Sequence, residues 1–172
     1  MIRPASTEDI DEIMSIAKKT VRVMNAEGSD QWNESYPTAR HFLQDLNKQS
    51  LFVLDTTEHI AGFIVIDQHI DPRFQQMTWT YLDRDAGTFH RLAVDPDRRQ
   101  HEVASQLIRF AESRCASMGL KTIKVDTYER NHSARSLFER LGYGLVGHSR
   151  KGTGKPFPFY YYEKILINRE EE

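Results

Sequence analysis

Apolar residues near the start of the chain recur three and four positions apart between residues 10 and 24. This period predicts an amphipathic helix that buries one face. Ser6 stands three residues before Asp9, a spacing typical of a capping box at a helix start. Residues 2–5 ahead of it predict a short strand. Residues 25–37 behind it predict a loop that carries large aromatic side chains.

The pattern changes in the next part of the chain. Thr38 is predicted to cap a second helix. Its apolar stripe is formed by Phe42, Leu43 and Leu46. Residues 51–55 and 60–67 are both rich in Leu, Ile, Val and Phe, and four polar residues join them. These two runs predict an antiparallel hairpin.

Residues 70–87 form a long, polar and irregular stretch, although residues 77–82 favour β-structure. A segment of this length inside a compact domain is usually a functional loop or conceals an element. Residues 89–94 predict a strand that stops at Asp95-Pro96. A helical period then runs from residue 103 to residue 118 and ends at Gly119, which suits a helix C-terminus.

The last third of the chain alternates strands with one more helix. Residues 122–127 predict a strand, and residues 131–141 predict a helix that Asn131 caps and Gly142 ends. Residues 143–148 and 157–167 predict two closing strands. The complete order is β-α-α-β-β-β-α-β-α-β-β, which indicates an α/β or α+β sheet and not a doubly wound parallel sheet.

Composition narrows the class of protein. With 172 residues, the chain is expected to form a single domain over residues 1–172 that needs no disulfide. One cysteine, Cys115, excludes an intramolecular disulfide framework and a multi-cysteine zinc site. The net charge of −2 argues against a broad nucleic-acid footprint. Mean hydropathy is −0.61 and no apolar run approaches a membrane span, so we expect a cytoplasmic protein that binds no membrane.

No pattern in the sequence predicts a metal site. The seven histidines lack an HExxH or comparable ligand spacing. Residues 152–156 faintly resemble a phosphate-binding loop, but Ser149 replaces the required upstream glycine and Pro156 replaces the Ser/Thr that would hold magnesium.

The segment from Leu92 to Ser105 is the most informative one. A strand ends at Val94, an arginine-rich turn follows, and a helix starts near Gln100. Free amides at a helix N-terminus, together with the helix dipole, favour a bound phosphate. Arg98 and Arg99 could add positive charge there.

This segment resembles the acetyl-CoA signature of the GNAT family of N-acetyltransferases. In that signature an apolar strand ends in Val-x-Pro, and Arg/Gln-x-x-Gly-x-Gly/Ala opens a helix. The two parts correspond here to Val94-Asp95-Pro96 and to Arg99-Gln100-His101-Glu102-Val103-Ala104. A later stretch, Asn131-x-x-Ala134-x-x-Leu137-Phe138-x-x-x-Gly142-Tyr143, is similar to the family's Asn-x-x-Ala-x-x-Leu-Tyr-x-x-x-Gly-Phe. The resemblance implies a mixed, twisted central sheet with helices on both faces.

The resemblance also implies acetyl-CoA as cosubstrate, with no metal. Family members hold the pantetheine arm between two splayed parallel strands, which correspond to residues 89–94 and 122–127. The pyrophosphate would lie on amides between Gln100 and Ser105. The implied cofactor contacts are Leu92, Ala93, Val94, Arg99, Gln100, His101, Glu102, Val103, Ala104, Ser105, Asn131 and Phe138.

Two positions depart from the family pattern. Glu102 replaces the first glycine of the signature, and a carboxylate beside a pyrophosphate is repulsive unless its side chain points outward. Phe138 replaces the tyrosine that donates a proton to coenzyme A in many members. Either water or a nearby hydroxyl such as Tyr128 takes over this role, or the chemistry is slow. Phe138 at helical spacing also suits a core position.

A general base is expected because the attacking amine must lose a proton. His90 lies on the strand beside the expected thioester, and imidazole exchanges protons near neutral pH. An ordinary strand histidine explains the same residue equally well. Asp126 is a weaker candidate.

The acceptor is expected to be a primary amine of a small molecule or peptide. Trp32 and Tyr36 in the first loop and Trp79 in the second are candidate substrate contacts, although loop aromatics often serve as anchors. Tyr160, Tyr161 and Tyr162 mark a candidate homodimer surface, which alternating burial within a sheet would also explain.

Two other readings of the sequence stay open. A degenerate member of the family could bind acyl-CoA, or act as a regulatory module, without turnover. A nucleotide-binding α/β protein could use the same helix N-terminus.

Overall fold

The computed structural model describes residues 1–98 and 102–166. The chain divides into two compact units, one formed by Met1–Ile66 and His90–Phe110 and the other by Asp67–Phe89 and Ala111–Glu172. Helices and strands follow in the order β1 (Ile2–Pro4), α1 (Ile10–Ala26), α2 (Ala39–Asn47), β2 (Leu51–Asp55), β3 (Ile60–Asp67), β4 (Ala86–Val94), α3 (Val103–Ser117), β5 (Thr122–Tyr128), α4 (His132–Arg140), β6 (Gly144–Ser149) and β7 (Phe159–Ile165). This is the predicted order, and the mixed α/β class is confirmed.

The first unit contains an antiparallel set of strands. β1 pairs with β2, with Ile2 opposite Leu54, and β2 pairs with β3, with Leu51 opposite Val65. The predicted hairpin is therefore confirmed, with an irregularity in register at Leu54 and Asp55.

The predicted helix starts in this unit are also confirmed. The Ser6 amide donates to the Asp9 carboxylate at 2.7 Å and so closes a short 3-10 turn that leads into α1. The Thr38 amide donates to His41 Nδ1 at 3.0 Å at the start of α2. Both caps satisfy amides that a helix end leaves without partners.

An apolar core joins the two helices of the first unit to its strands. Members of this core include Ile13 and Ile16 of α1, Phe42 of α2, and Val53 and Phe63 of β2 and β3. Phe42 and Phe63 meet edge to face with ring centroids 5.1 Å apart. The period of three and four in α1 is what brings its isoleucines to one face.

The second unit is built on β5. β5 pairs antiparallel with β7 along its whole length, and β6 pairs antiparallel with β7. On its other edge β5 pairs in parallel with β4, through Ala86–Thr122 and Gly87–Ile123. Phe138 of α4 packs here against Phe89, Tyr143 and Tyr162, with centroids 5.5–5.8 Å away.

The largest differences from the predicted elements lie in β4, in residues 77–82 and in β7. β4 begins at Ala86 and not at residue 89, because Ala86 and Gly87 are too small to show an apolar pattern. Residues 77–82 form no strand, and the amides of Thr80 and Tyr81 instead donate to the Glu163 carboxylate at 2.8 and 3.4 Å. β7 begins at Phe159 and not at residue 157, and the predicted end at residue 167 lies outside the described residues.

Candidate active site

The turn that follows β4 in the first unit is organised by Asp95. This side chain is buried, and its Oδ1 accepts the Asp97 amide at 3.0 Å. The Asp95 amide donates to the Ala61 carbonyl at 2.9 Å, which attaches the turn to β3. An aspartate that bonds the amide two residues on is a common turn device. The Asp95-Pro96 dipeptide is a sequence signal for this turn, beyond the strand end that it marks.

Cations of the same unit neutralise this turn. Lys19 Nζ of α1 lies 2.9 Å from Asp97 Oδ2 and 3.5 Å from Asp95 Oδ1. Arg98 Nη1 lies 2.8 Å from His59 Nδ1. Arg98, one of the two arginines expected to add charge, is thus already in contact with protein groups. Arg99, Gln100 and His101 lie outside the described residues.

Glu102 immediately precedes α3, and its backbone is left-handed with φ +87°. Its carbonyl accepts the Gln106 amide at 2.7 Å, the first hydrogen bond of this end of the helix. Glycine adopts this conformation freely, whereas another residue pays about 1–2 kcal/mol. The left-handed conformation explains why glycine suits this position of the signature. Glu102, whose side chain is exposed, adopts the same conformation at a cost in conformational energy.

The predicted cofactor residues that follow open α3. Val103 is buried, while Ala104 and Ser105 are half-buried. An α-helix leaves its first amides without helical partners, so this turn can accept an anion.

The strand β4, for which cofactor contacts are predicted, lies close to β3 at one point. A Cβ on Gly62 would lie 2.7 Å from the Ala93 carbonyl oxygen and 3.2 Å from Val103 and Leu107 side-chain carbons. Ala93 is buried, whereas Leu92 and Val94 on either side of it are half-buried. His90, the candidate base, is also half-buried in this strand.

The two aromatic residues proposed for substrate contact in the first unit have different surroundings. Trp32 is only 5% exposed and belongs to the apolar core. Tyr36 is half-buried, and its hydroxyl accepts Arg91 Nη1 at 3.0 Å. A cavity of about 360 Å³ lies beside α1 in this unit. Its lining includes Met14, Lys18, Arg22, Glu34 and Pro37.

Asn131 and Phe138 belong to the second unit. The Asn131 side chain accepts the Ala134 amide at 3.1 Å, so its predicted capping of α4 is confirmed. Phe138 is 4% exposed among aromatic rings, the core position that its helical spacing suggested. Its ring carries no proton that could pass to a thiolate.

Tyr128, the candidate acid, is fully buried at the end of β5. Its hydroxyl accepts the Phe157 amide at 3.3 Å and so secures the entry to β7. Its ring lies 5.1 Å from that of Phe159. These contacts give Tyr128 a structural role in the second unit.

Trp79 in the long loop is held by its own segment. Its indole nitrogen donates to the Phe74 carbonyl at 2.6 Å, and the two rings stack at 5.6 Å. Lys124 Nζ lies 5.1 Å from the Trp79 ring and bonds Asp83 at 2.7 Å. The segment at 67–85 is therefore an ordered cover over one face of β5.

Asp126, the weaker base candidate, lies on that covered face. Its carboxylate accepts Arg73 Nη2 at 3.1 Å. Tyr161 faces it across the β5–β7 ladder and is fully buried. The Tyr161 hydroxyl finds no hydrogen-bond partner among the described residues. Burial raises the pKa of this hydroxyl, so the group stays neutral.

The described residues contain neither a metal-binding cluster nor a membrane-spanning helix. No group of three or more His, Cys, Asp or Glu side chains within residues 1–98 and 102–166 is placed to hold a metal ion. In the same part of the chain, no helix has both the length and the apolar character needed to cross a bilayer.

Comparison with known proteins identifies the family. The model of the acetyltransferase (GNAT) family matches residues 13–143, which is more than half of the chain. The chain therefore belongs to the GNAT acetyltransferase family, as its motifs indicated. No curated protein sequence matches it.

Solved structures agree with this assignment. A Staphylococcus aureus Mu50 protein assigned as an acetyltransferase is 28% identical, with TM-score 0.76 and coverage of 97% of this chain and 99% of the other. A GNAT acetyltransferase of Streptococcus agalactiae 2603 is 21% identical, with TM-score 0.84 and coverage of 98% and 96%. The ribosomal-protein-S18-alanine N-acetyltransferase of Escherichia coli is 16% identical, with TM-score 0.69 and coverage of 98% and 94%. The last two share the fold with this chain.

Proposed function

We propose that the protein is an acetyl-CoA-dependent N-acetyltransferase of the cytoplasm. In this proposal it moves an acetyl group to a primary amine of a small molecule or peptide. The observation that carries the proposal is the left-handed backbone of Glu102 directly before α3. At the position of the signature glycine the chain has the left-handed backbone that glycine adopts freely, although the Glu102 side chain makes this conformation costly.

The cofactor would be held by β4 and by the turn that opens α3. The first amides of α3, from Val103 to Ser105, would receive the pyrophosphate. Backbone groups of Leu92 and Val94 in β4 would pair with the pantetheine amides as a neighbouring strand does. Acetyl-CoA would supply an activated thioester carbonyl.

In the proposed reaction the acceptor amine attacks the thioester directly. The amine lone pair forms a C–N bond to the thioester carbonyl carbon, and His90 takes a proton from the nitrogen. A strand amide stabilises the tetrahedral oxyanion. The C–S bond then breaks, and coenzyme A leaves as a thiolate that is protonated.

A water molecule is the proton donor that the contacts favour. Phe138 has no exchangeable proton, and the Tyr128 hydroxyl is fully buried against Phe157. Without a dedicated acid the departure of the thiolate becomes the slower step.

One experiment tests the cofactor. Acetyl-CoA and ATP are titrated separately into the protein in a calorimeter, and each is added in a thermal-unfolding assay. We expect saturable heat and a rise in Tm with acetyl-CoA, and neither with ATP. Binding of ATP without binding of acetyl-CoA would instead establish a nucleotide-binding protein and end the proposal.

A second experiment tests turnover and the base. Release of coenzyme A is followed over a panel of polyamines, amino acids, peptides and aminoglycosides. With an accepted amine, His90→Gln should lower kcat by roughly 10²-fold. The matched control is His69→Gln, because His69 is exposed in the other unit.

The second candidate function is an acyl-CoA-binding module without turnover. Glu102 and Phe138, at two positions where the family carries glycine and tyrosine, favour it. Saturable binding of acetyl-CoA, with no release of coenzyme A on any amine of the panel, would establish this module instead.

A further inference from the structure

Arg91 has a left-handed backbone inside a strand. Its φ is +44°, while the strand β4 extends from Ala86 to Val94 around it. Among the described non-glycine residues with positive φ, the others are Gln49, Thr57 and Glu102, and none of them lies within a strand. A left-handed side-chain-bearing residue persists only where the surroundings impose it, and such residues concentrate at functional sites.

The surroundings that impose this conformation are two contacts of the Arg91 side chain. Its Nε and Nη2 donate to the two carboxylate oxygens of Asp45 at 2.7 and 2.6 Å. Its Nη1 donates to the Tyr36 hydroxyl at 3.0 Å. The side chains of Arg91 and Asp45 are 14% and 5% exposed. A two-point bond to a carboxylate fixes the plane of a guanidinium as well as its position.

The Arg91 guanidinium keeps its charge in this pair. Burial opposes the charge on Arg91, but the hydrogen bonds to Asp45 and the nearby charges outweigh it and leave the pKa of Arg91 raised. Asp45 lies on α2, which packs on the strands of the same unit through Phe42. This pair, the anchor, is therefore held by a helix that packs on the apolar core.

The left-handed conformation of Arg91, the kink in β4, determines which way the residues after it face. Ala86 to Phe89 are all buried, whereas after Arg91 burial alternates, with Ala93 buried between half-buried Leu92 and Val94. Side chains and backbone groups of a strand alternate with a period of two, so a relaxed residue 91 would turn the following residues over. Leu92 and Val94 would then lose the orientation in which they meet a ligand.

We propose that Arg91 is a positioning residue for acetyl-CoA, and that the Asp45–Arg91 pair holds the kink that orients Leu92–Val94. The inference rests on the proposed function, since it assumes that acetyl-CoA binds along β4. Arg91 also bonds Tyr36, which lies in the loop before α2. The loop proposed to contact the acceptor and the strand β4 are therefore both attached to Arg91 within this unit.

The test compares two carboxylate pairs of the same unit. Asp45→Asn breaks the Arg91 pair, and Asp9→Asn breaks the comparable Arg3–Asp9 pair, whose bonds are 2.8 and 2.9 Å. Acetyl-CoA Kd, KM and kcat are measured at a temperature where both variants are folded. We expect Asp45→Asn to weaken acetyl-CoA binding and raise its KM by about tenfold or more. Asp9→Asn should lower Tm and leave the acetyl-CoA Kd within about twofold.

A second comparison separates the kink from the loss of a buried pair. Both double variants, Asp45→Asn with Arg91→Gly and Asp45→Asn with Arg91→Ala, lack the anchor and the charges. Glycine accepts φ +44° freely and alanine does not, so the glycine variant should bind acetyl-CoA more tightly than the alanine variant. This ordering stays measurable when the single variant Asp45→Asn fails to fold.

Each outcome is decisive. If Asp45→Asn lowers only Tm, or the glycine and alanine variants bind alike, Arg91 is structural and the inference is wrong. If the wild type itself binds no acetyl-CoA, the proposed function fails first.

Discussion

Gly62 and Ala93 approach each other so closely that a Cβ on residue 62 would lie 2.7 Å from the Ala93 carbonyl oxygen. We therefore expect Gly62→Ala to push β4 away from β3. Overpacking of this kind costs about 1–3 kcal/mol of unfolding free energy. On the proposed function, acetyl-CoA affinity should fall with it, because Ala93 lies between Leu92 and Val94, the proposed pantetheine contacts. Chemical denaturation and calorimetric titration measure the two effects.

A matched control is Gly144→Ala in β6, where the added Cβ would lie 3.8 Å from the Glu163 carbonyl oxygen, an ordinary contact. Its unfolding free energy should stay within about 0.5 kcal/mol of the wild type. Equal losses for both variants would show that close approach at Gly62 is not the cause.

Glu102→Gly should stabilise the protein. Glycine removes the cost of φ +87° but loses more entropy on folding, so the net gain is about 0.5–1 kcal/mol. Glu102→Ala removes the same charge and keeps the backbone strain, so denaturation of the two variants isolates the backbone effect. A stability equal in both would contradict it.

The same two variants address the repulsion between Glu102 and a pyrophosphate. A carboxylate that repels the ligand predicts tighter acetyl-CoA binding in both variants. A purely conformational effect predicts tighter binding in Glu102→Gly alone.

Tyr161→Phe should be neutral or stabilising, because the buried Tyr161 hydroxyl has no partner within the described part of the chain. An unsatisfied buried hydroxyl costs about 1–3 kcal/mol, and its removal recovers part of that. Tyr128→Phe is the matched change, since it deprives the Phe157 amide of its acceptor and should cost about 1 kcal/mol. Thermal unfolding of the pair would refute this account if Tyr161→Phe were the more damaging.

Stability should fall at alkaline pH because of Cys115. Burial raises the pKa of this thiol from 9.0 to about 11. The unfolded thiol ionises first as the pH rises, so the folded state is disfavoured by roughly 2–3 kcal/mol between pH 9 and 11. The stabilising effect is complete below pH 9. Denaturation of wild type and Cys115→Ala across this range should show a steeper alkaline slope in the wild type, and parallel slopes would exclude Cys115.

Hydrophobic period was sufficient to predict the order of the elements. Long segments such as α1 and the 51–67 hairpin have many apolar positions that match one period. A single position that departs from the period therefore does not change the prediction. The boundary of β4 was missed because Ala86 and Gly87 are selected for close packing against Cys115 and β5, which leaves no apolar signature.

The site was predicted less completely. Motifs located the start of α3 and the capping role of Asn131, since both depend on residues close in sequence. Asp45 and Arg91 are 46 positions apart and bond only because the fold brings α2 to β4. No spacing rule covers such a pair, and a left-handed arginine leaves no mark in the sequence.

The shielding of the sole thiol has a practical consequence. Cys115 is 1% exposed, and burial raises the pKa of its thiol to about 11. Maleimide dyes will therefore not react with it in the native protein. One cysteine introduced at an exposed site would then take a fluorophore selectively, with Cys115 left in place. In an Arg98→Cys variant, a dye beside the turn before α3 would test the proposed binding of acetyl-CoA through a change in fluorescence. This measurement needs no acceptor amine.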